Sequence, residues 1–293
     1  MGRRFRREEI LERLRKTFDE GKPVLGAGCS AGIVAKCAEI GGADLIIAYS
    51  TGLSRLRGLP TTLYGPMDSN VVTLGMFKEL DNVVKDAPII AGVDASDPTS
   101  LDIERLLRGF VEAGFSGIIN FPTIGQFGDR EAGCRYRMER ESQGLGWSRE
   151  VEMMRIAHKM NIFTMAYVFN PEDAQDMVKA PVDVIVAHVG GTRGGVAGFK
   201  ATPLEEAVKQ VQRIISSAKG INHGMICLAH GGAFAEPKDT EYLYNRTDAV
   251  GFVGASSIER IPIEKAVTHT VREFKSCSLR KGARRNTNSL QTY

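Results

Sequence analysis

Eight short apolar runs, each followed by a stretch of helical periodicity, constrain this chain more than any other feature. They are Pro23–Ala27, Asp44–Ala48, Pro88–Val93, Gly117–Phe121, Ile162–Val168, Asp183–His188, Gly224–Ala229 and Ala249–Val253. Most are continuous rather than alternating, the pattern of parallel strands buried on both faces. Between the third and fourth runs, Ile103, Leu106, Leu107 and Phe110 mark a helix stopped by Gly114. Thr202-Pro-Leu-Glu205 reads as a capping box with proline at the first helical position, and Gly220 reads as the stop of that helix. Ile263, Ala266, Val267, Val271 and Phe274 supply the apolar face of the last one. Eight βα units need about 250 residues, so a chain of 293 residues predicts one closed (β/α)8 domain, a TIM barrel, over residues 1–277. The periodic segment Arg6–Glu20 precedes the first strand and is expected to lie across the bottom of the barrel. Residues 278–293 are basic, polar and aperiodic, which predicts a disordered tail.

Charge excludes one class of partner. The formal net charge is +3, yet residues 1–16 and 276–293 each carry +4, leaving the middle of the chain at −5. No basic face for nucleic acid is expected on the folded part. No apolar run approaches the roughly 20 residues of a membrane span. The five cysteines contain no C-x-x-C pair and are odd in number, so neither a disulfide framework nor a zinc site is indicated; Cys37 and Cys227 sit in apolar patterns and read as core. The arginine-rich start alternates with Glu8, Glu9 and Glu12 and has no apolar signal region. A cytoplasmic location is the expectation.

In such a barrel the chemistry sits at the carboxyl ends of the strands. There the chain places Gly28 and Ser30 after the first run, Ser50 after the second, Asp94 and Asp97 after the third, and Asn120 at the end of the fourth. Tyr167 closes the fifth, His188 the sixth, His230 with Gly231 and Gly232 the seventh, and Gly254, Ser256 and Ser257 follow the eighth. His188 and His230 have the titration range of general acid/base groups, and Tyr167 is the further catalytic candidate. Asp94 emerges as its strand leaves the core, where a carboxylate needs solvent, a partner or a metal, so it is the candidate ligand for Mg²⁺. Asp97, before Pro98, reads as the cap of the next helix. Gly28, Ser30, Ser50, Asn120, Gly231, Gly232, Gly254, Ser256 and Ser257 are the candidate contacts for an anionic substrate, because backbone amides and hydroxyls in tight turns cradle phosphate or carboxylate. Gly26-Ala-Gly-Cys-Ser-Ala31 also matches G-x-G-x-x-A, but the second strand ends in Tyr49-Ser50 rather than in the acidic residue a dinucleotide site uses. Residues 50–70 and 122–147 are long for turns and are candidate lids. The second holds Asp129, Arg130, Glu131, Cys134, Arg135, Arg137, Glu139, Arg140 and Glu141, either a solvated charged face or a lid with an arginine for the substrate anion.

Gly251–Pro262 (GFVGASSIERIP), His230–Gly232 (HGG), Asn120–Gly125 (NFPTIG), Gly144–Met153 (GLGWSREVEM) and Ala187–Gly195 (AHVGGTRGG) together resemble the phosphoenolpyruvate hydrolase-like TIM-barrel family, grouped with phosphoenolpyruvate mutase and isocitrate lyase. The resemblance runs from about Phe5 to Lys275. It implies a barrel that binds a small 2-oxo acid or enol through Mg²⁺ and a loop after the fourth strand. The chain departs from the superfamily in having no Asp-x-Asp pair after the third strand and no Lys-Cys-Gly segment in the gating loop.

These readings predict a hydrolase or lyase acting on a small anionic 2-oxo acid or enol (phospho)ester such as phosphoenolpyruvate, by acid/base and Mg²⁺-assisted enolate chemistry, in a homo-oligomer. Two alternatives stand beside it. One is a barrel that senses a small anion, or binds a partner, without turnover. The other is an aldolase-type lyase; its Schiff-base form needs a lysine at a strand end, and none is there.

Overall fold

The computed structural model describes residues 3–61, 68–128 and 135–279. The barrel opens with α1 (Arg7–Asp19), β1 (Val24–Gly28), α2 (Gly32–Ile40), β2 (Leu45–Ala48), the single turn α3 (Leu53–Leu56) and α4 (Ser69–Val83). Then follow β3 (Ile89–Gly92), α5 (Ile103–Ala113), β4 (Gly117–Ile119), α6 (Arg135–Ser142), α7 (Trp147–Lys159), β5 (Phe163–Val168) and α8 (Pro171–Lys179). The last third is β6 (Val184–His188), α9 (Leu204–Ile221), β7 (Ile226–His230), α10 (Pro237–Tyr244), β8 (Gly251–Gly254) and α11 (Arg260–Ser276). The eight strands are parallel and close in sequence order, β8 pairing with β1, as the alternation of runs predicts.

Strand parity sorts the side chains into two cores. Val24, Leu45, Ile47, Ile90, Ile119, Phe163, Met165, Val184, Val186, Ile226, Leu228 and Val253 fill the barrel interior. Ile46, Ile89, Ile118, Ala166, Ile185, Cys227 and Phe252 face outward into the layer shared with the helices. The uppermost inward positions are Gly28, Tyr49, Gly92, Phe121, Tyr167, His188, His230 and Ala255. A side chain at Gly92 would collide with Tyr49 and with the Phe121 carbonyl, so the missing Cβ is what leaves room for Tyr49 there. At the other end Ile10 and Leu14 of α1 are buried, Arg7 pairs with Asp183 at 2.7 Å and Thr17 bonds Asp44 at 2.8 Å. These contacts hold α1 across the bottom of the barrel.

The structure corrects several local expectations. The helix α9 is capped by Pro203 with no side-chain bond, and it runs through Gly220 to Ile221, so the capping box and the glycine stop are not used. The cap of α5 is Asp102, three residues before the Arg105 amide it accepts; Asp97 instead accepts from Thr99 and Asn70. Gly114, with φ of 115°, does end that helix. Cys37 is exposed, while Cys227 is buried. The largest departure is α11. Its apolar stripe does not pack on the barrel: from Pro262 to Leu279 every residue except the half-buried Glu264 is exposed, including Ile263 (42%), Val267 (57%), Val271 (55%) and Phe274 (76%). Of the expected tail, residues 280–293 lie outside the described residues, as do Asp129, Arg130, Glu131 and Cys134 of the long connection after β4. No described helix is long and apolar enough to cross a membrane.

Candidate active site

The mouth of the barrel has an aromatic floor. Tyr49 meets Phe121 edge-on at 4.7 Å between ring centroids, and Phe121 meets Tyr167 at 5.4 Å. Tyr167 lies 5.2 Å from His188 and 5.0 Å from His230, and the two imidazoles are 4.5 Å apart. They are adjacent because β6 and β7 pair in register, with His188 opposite His230. Phe169 packs on the other side of His188 at 4.7 Å. In this apolar setting the charged imidazolium loses its hydration, so burial holds His188 well below its ordinary pKa and His230 at about 4. Both rings are neutral at pH 7. The Tyr167 hydroxyl is buried without a well-formed hydrogen bond, and burial raises its pKa, with Tyr49 as a further titratable neighbour.

Beside this floor, on the β8–β1–β2 side, stands a saturated ion pair. Arg55 and Glu259 are both buried, and Arg55 Nε donates to Glu259 Oε2 at 2.5 Å. Arg55 also donates to the Tyr49 hydroxyl (3.3 Å), Thr61 Oγ1 (3.0 Å), the Gly28 carbonyl (3.2 Å) and Ser30 Oγ (3.0 Å). The Ser30 amide donates to the other Glu259 oxygen at 2.6 Å. Gly28 and Ser30, expected to face substrate, are thereby held by Arg55. Neither Arg55 nor Glu259 is among the residues singled out from the sequence. The signal was a Glu-Arg pair set between Ile258 and Ile261, in a segment otherwise made of small and apolar residues.

The turn after β8 keeps its donors open. Among the described residues the amides of Ser256 and Ser257 find no acceptor, and the Ser257 hydroxyl is buried and unpartnered. The same holds for the hydroxyls of Ser50 and Thr51 after β2. The Ser256 and Ser257 amides are thus the donors this turn leaves for an anion, with the buried Ser257 and Ser50 hydroxyls behind them, while Gly254 still belongs to the β8 ladder beside Ala27. Gly231 and Gly232 have φ of 77° and 56°, and a Cβ on Gly231 would strike the Gly190 carbonyl, so this pair locks the β7 turn against the β6 turn. The Gly232 amide is already bonded to Gly190 O at 2.8 Å.

Asn120 sits elsewhere than the mouth. Being one residue beyond the inward Ile119 it points outward, where it accepts from the Tyr167 amide (2.8 Å) and donates to Tyr167 O (3.2 Å) and Glu150 Oε2 (2.7 Å). Glu150 on α7 also accepts from Thr123 Oγ1 and the Ile124 amide, both at 2.6 Å. Burial pushes its carboxyl up to about 8, against those three donors. Asn120 is a brace between β4, β5 and α7, and it sets the height of Tyr167.

Asp94 lies at the rim after β3, largely buried, with Oδ1 accepting from the Ser96 amide (2.9 Å) and hydroxyl (2.6 Å). Burial raises its pKa, opposed by the Ser96 bonds and the nearby positive charge of Arg140. Of the arginines following β4, Arg137 pairs with Asp173 at 2.7 Å and Arg149 bonds the Ala95 carbonyl at 2.7 Å, so both brace the rim. Arg140 donates to the Ser96 carbonyl and keeps its Nε buried without a partner. Among the described residues no group of three or more His, Cys, Asp or Glu could hold a metal ion. Asp94 Oδ2 accepts no hydrogen bond from a described residue, which fits a Mg²⁺ bound through one carboxylate with water and substrate oxygens, not one caged by protein.

A family described as "Phosphoenolpyruvate hydrolase-like" matches residues 9–277. The tomato (Solanum lycopersicum) ToMV susceptible protein tm-1(GCR26) is 42% identical over 274 residues, 92% of this chain and 36% of that protein. A putative transcriptional regulatory protein, y4pA of Sinorhizobium fredii, is 34% identical over 277 residues, 92% of this chain and 44% of that one. The chain thus spans less than half the length of the curated relatives it matches. Among solved structures, a phosphonopyruvate hydrolase complex with oxalate and Mg²⁺ superposes with TM-score 0.59 at 19% identity, covering 94% of this chain and 90% of that one. A 2,3-dimethylmalate lyase, described as a PEP mutase/isocitrate lyase superfamily member, superposes with TM-score 0.58 at 12% identity, covering 95% and 92%. These superpositions show a shared fold.

Proposed function

The chain belongs to the phosphoenolpyruvate hydrolase-like family, and from that premise we propose that it is a cytoplasmic hydrolase or lyase of a small anionic 2-oxo acid or enol (phospho)ester such as phosphoenolpyruvate. The observation that carries this reading is the pair of neutral histidines on an aromatic floor next to a tyrosine hydroxyl that has no well-formed hydrogen bond. Preorganised neutral donors in a low-dielectric pocket stabilise charge that develops on an enolate oxygen, and they need no reorganisation as it forms. Ser256, Ser257 and Ser50, with the Gly254 turn, hold the anionic group; Gly231, Gly232, Gly28 and Ser30 shape the wall; His188, His230 and Tyr167 face the reacting carbon and its oxygen. Asp94 would hold Mg²⁺, which when bound supplies positive charge to substrate oxygens. Arg140 offers a second cation beside it. The test is release of phosphate and pyruvate from phosphoenolpyruvate, with Mg²⁺ and with chelator, by wild type and His230→Ala. Turnover by wild type that is lost in the variant supports the reading; wild type without turnover of this or any other small oxo acid defeats it.

The sensor reading has its own support, because homologous sequence makes up 44% of a larger putative transcriptional regulatory protein. In that case small oxo acids raise the melting temperature without turnover. For the assembled state we propose a homo-oligomer in which α11 seats its apolar stripe on a second copy. Val267→Asp with Val271→Asp should convert an oligomer to monomer by light scattering, and an unchanged mass for the variant would refute this.

A further inference from the structure

The two histidines look equivalent, but their backbone contacts differ in kind. The Gly190 amide donates to His188 Nδ1 at 3.1 Å. An amide N–H can only donate, so neutral His188 must carry its proton on Nε2. His230 Nδ1 faces the Val253 carbonyl at 2.6 Å. A carbonyl can only accept, so neutral His230 carries its proton on Nδ1 and keeps a lone pair on Nε2. Among the described residues neither Nε2 makes a hydrogen bond. The mouth therefore presents one N–H donor and one bare nitrogen, 4.5 Å apart between ring centres, with opposite tautomers imposed by β8 and by the turn after β6.

We infer that His230 is the base and His188 the hydrogen-bond donor of an enolisation half-reaction, in which His230 Nε2 removes a proton from the carbon next to the carbonyl of a bound 2-oxo acid. The C–H electron pair becomes the C=C bond, and the carbonyl π pair moves onto oxygen. That enolate oxygen accepts from His188 Nε2–H and from the Tyr167 hydroxyl. His230 is left as an imidazolium, protonated on both nitrogens and still bonded to Val253 O. Return of its Nε2 proton to carbon restores the ketone. This assignment rests on the oxo-acid reading of the mouth.

His230 is a weak base because of its surroundings. His230 feels burial first and the Arg55 charge in addition, both favouring the neutral ring, while its bond to Val253 O favours protonation. His188 adds no charge to it, and Glu259 neutralises Arg55 at contact distance. A substrate carboxylate entering this low-dielectric space is the nearest uncompensated negative charge, and it raises the proton affinity of His230 as it binds. The base is thereby strengthened by the molecule it acts on.

Glutamine separates the two roles, because its amide N–H can donate but it cannot take up a proton. In D₂O, with pyruvate or 2-oxobutyrate, wild type should exchange the C3 protons, read by ¹H NMR. His230→Gln should lose at least about 100-fold, the lower end for a general base. His188→Gln should stay within about 10-fold of wild type, while His188→Leu, which lacks a donor, should fall below it, in line with loss of one oxyanion donor. Long-range ¹⁵N–¹H spectra of ¹⁵N-histidine wild type, which need no variant to fold, should show the Nε2–H tautomer for His188 and Nδ1–H for His230. Exchange that survives in His230→Gln and vanishes in His188→Gln, or identical tautomers for both rings, overturns the assignment and leaves the oxo-acid reading standing. Wild type that neither exchanges C3 protons nor shifts its histidine signals with pyruvate or oxalate overturns both.

Discussion

Two sides of the same mouth treat buried polarity in opposite ways. On the β8–β1–β2 side, Arg55 makes five hydrogen bonds and Glu259 accepts from both Arg55 and the Ser30 amide. On the β5–β6–β7 side, Tyr167 OH has no well-formed bond and each histidine uses one nitrogen only. Full ionic charge is tolerable inside a protein only when it is matched and bonded, and removal of one partner leaves the other stranded. A neutral imidazole or phenol with one open position costs far less and leaves something for a ligand to bind. The saturated side is the frame, and the open side is where chemistry has room.

The sharpest way to break this contrast is to strand a charge. Arg55→Met or Glu259→Gln alone should destabilise by about 3–5 kcal/mol in denaturant unfolding, whereas Arg55→Met combined with Glu259→Leu should recover most of it. Double and single variants that are equally unstable would mean the pair does not act as a unit.

On the open side acidity is the probe. The folded pKa of both histidines lies below the unfolded value near 6.5, so the unfolded chain binds more protons between the two values. Stability from these rings is full above pH 6.5 and is lost as pH falls through about 4, where His230 titrates; His230 alone accounts for about 3 kcal/mol. Glu150 acts with the opposite sign over a higher window: its carboxyl, raised to about 8, favours the folded state below pH 4.5 and loses that contribution as pH rises to 8. Melting temperature against pH should rise from 4 to 6.5, and His188→Gln with His230→Gln should flatten that limb. An unflattened limb in the double variant would assign acid loss to other groups.

The smallest effect on stability is the most telling one about the site. Tyr167→Phe removes a hydroxyl that bonds nothing well, so unfolding free energy should change by less than about 1 kcal/mol. Turnover should fall by about 100-fold or more, the effect of deleting one oxyanion donor. A variant that melts lower with unchanged turnover would make Tyr167 part of the frame.

Much of the fold was legible because continuous apolar runs and their spacing are a one-dimensional record of the barrel. The histidine pair was legible for the same reason, each ring closing a run. Asn120 shows where that reading stops. The strand was read through Phe121, but it ends at Ile119, and a residue of even parity there looks outward to Glu150 instead of into the mouth. Arg55 and Glu259 lie 204 positions apart, and pairing at that range leaves no local pattern to find. The stripe on α11 was periodic and real, yet periodicity reports that a face is apolar and not which surface covers it.

That helix has a mechanical meaning. Glu259, just before it, grips Arg55, and Arg260, its first residue, bonds the Gly194 carbonyl at 2.9 Å, so its root is bolted into the walls of the mouth while its shaft extends into solvent. If a partner that clasped the shaft altered the walls, reciprocity of coupled equilibria would require a ligand that stiffens the walls to change the strength of the clasp by the same factor.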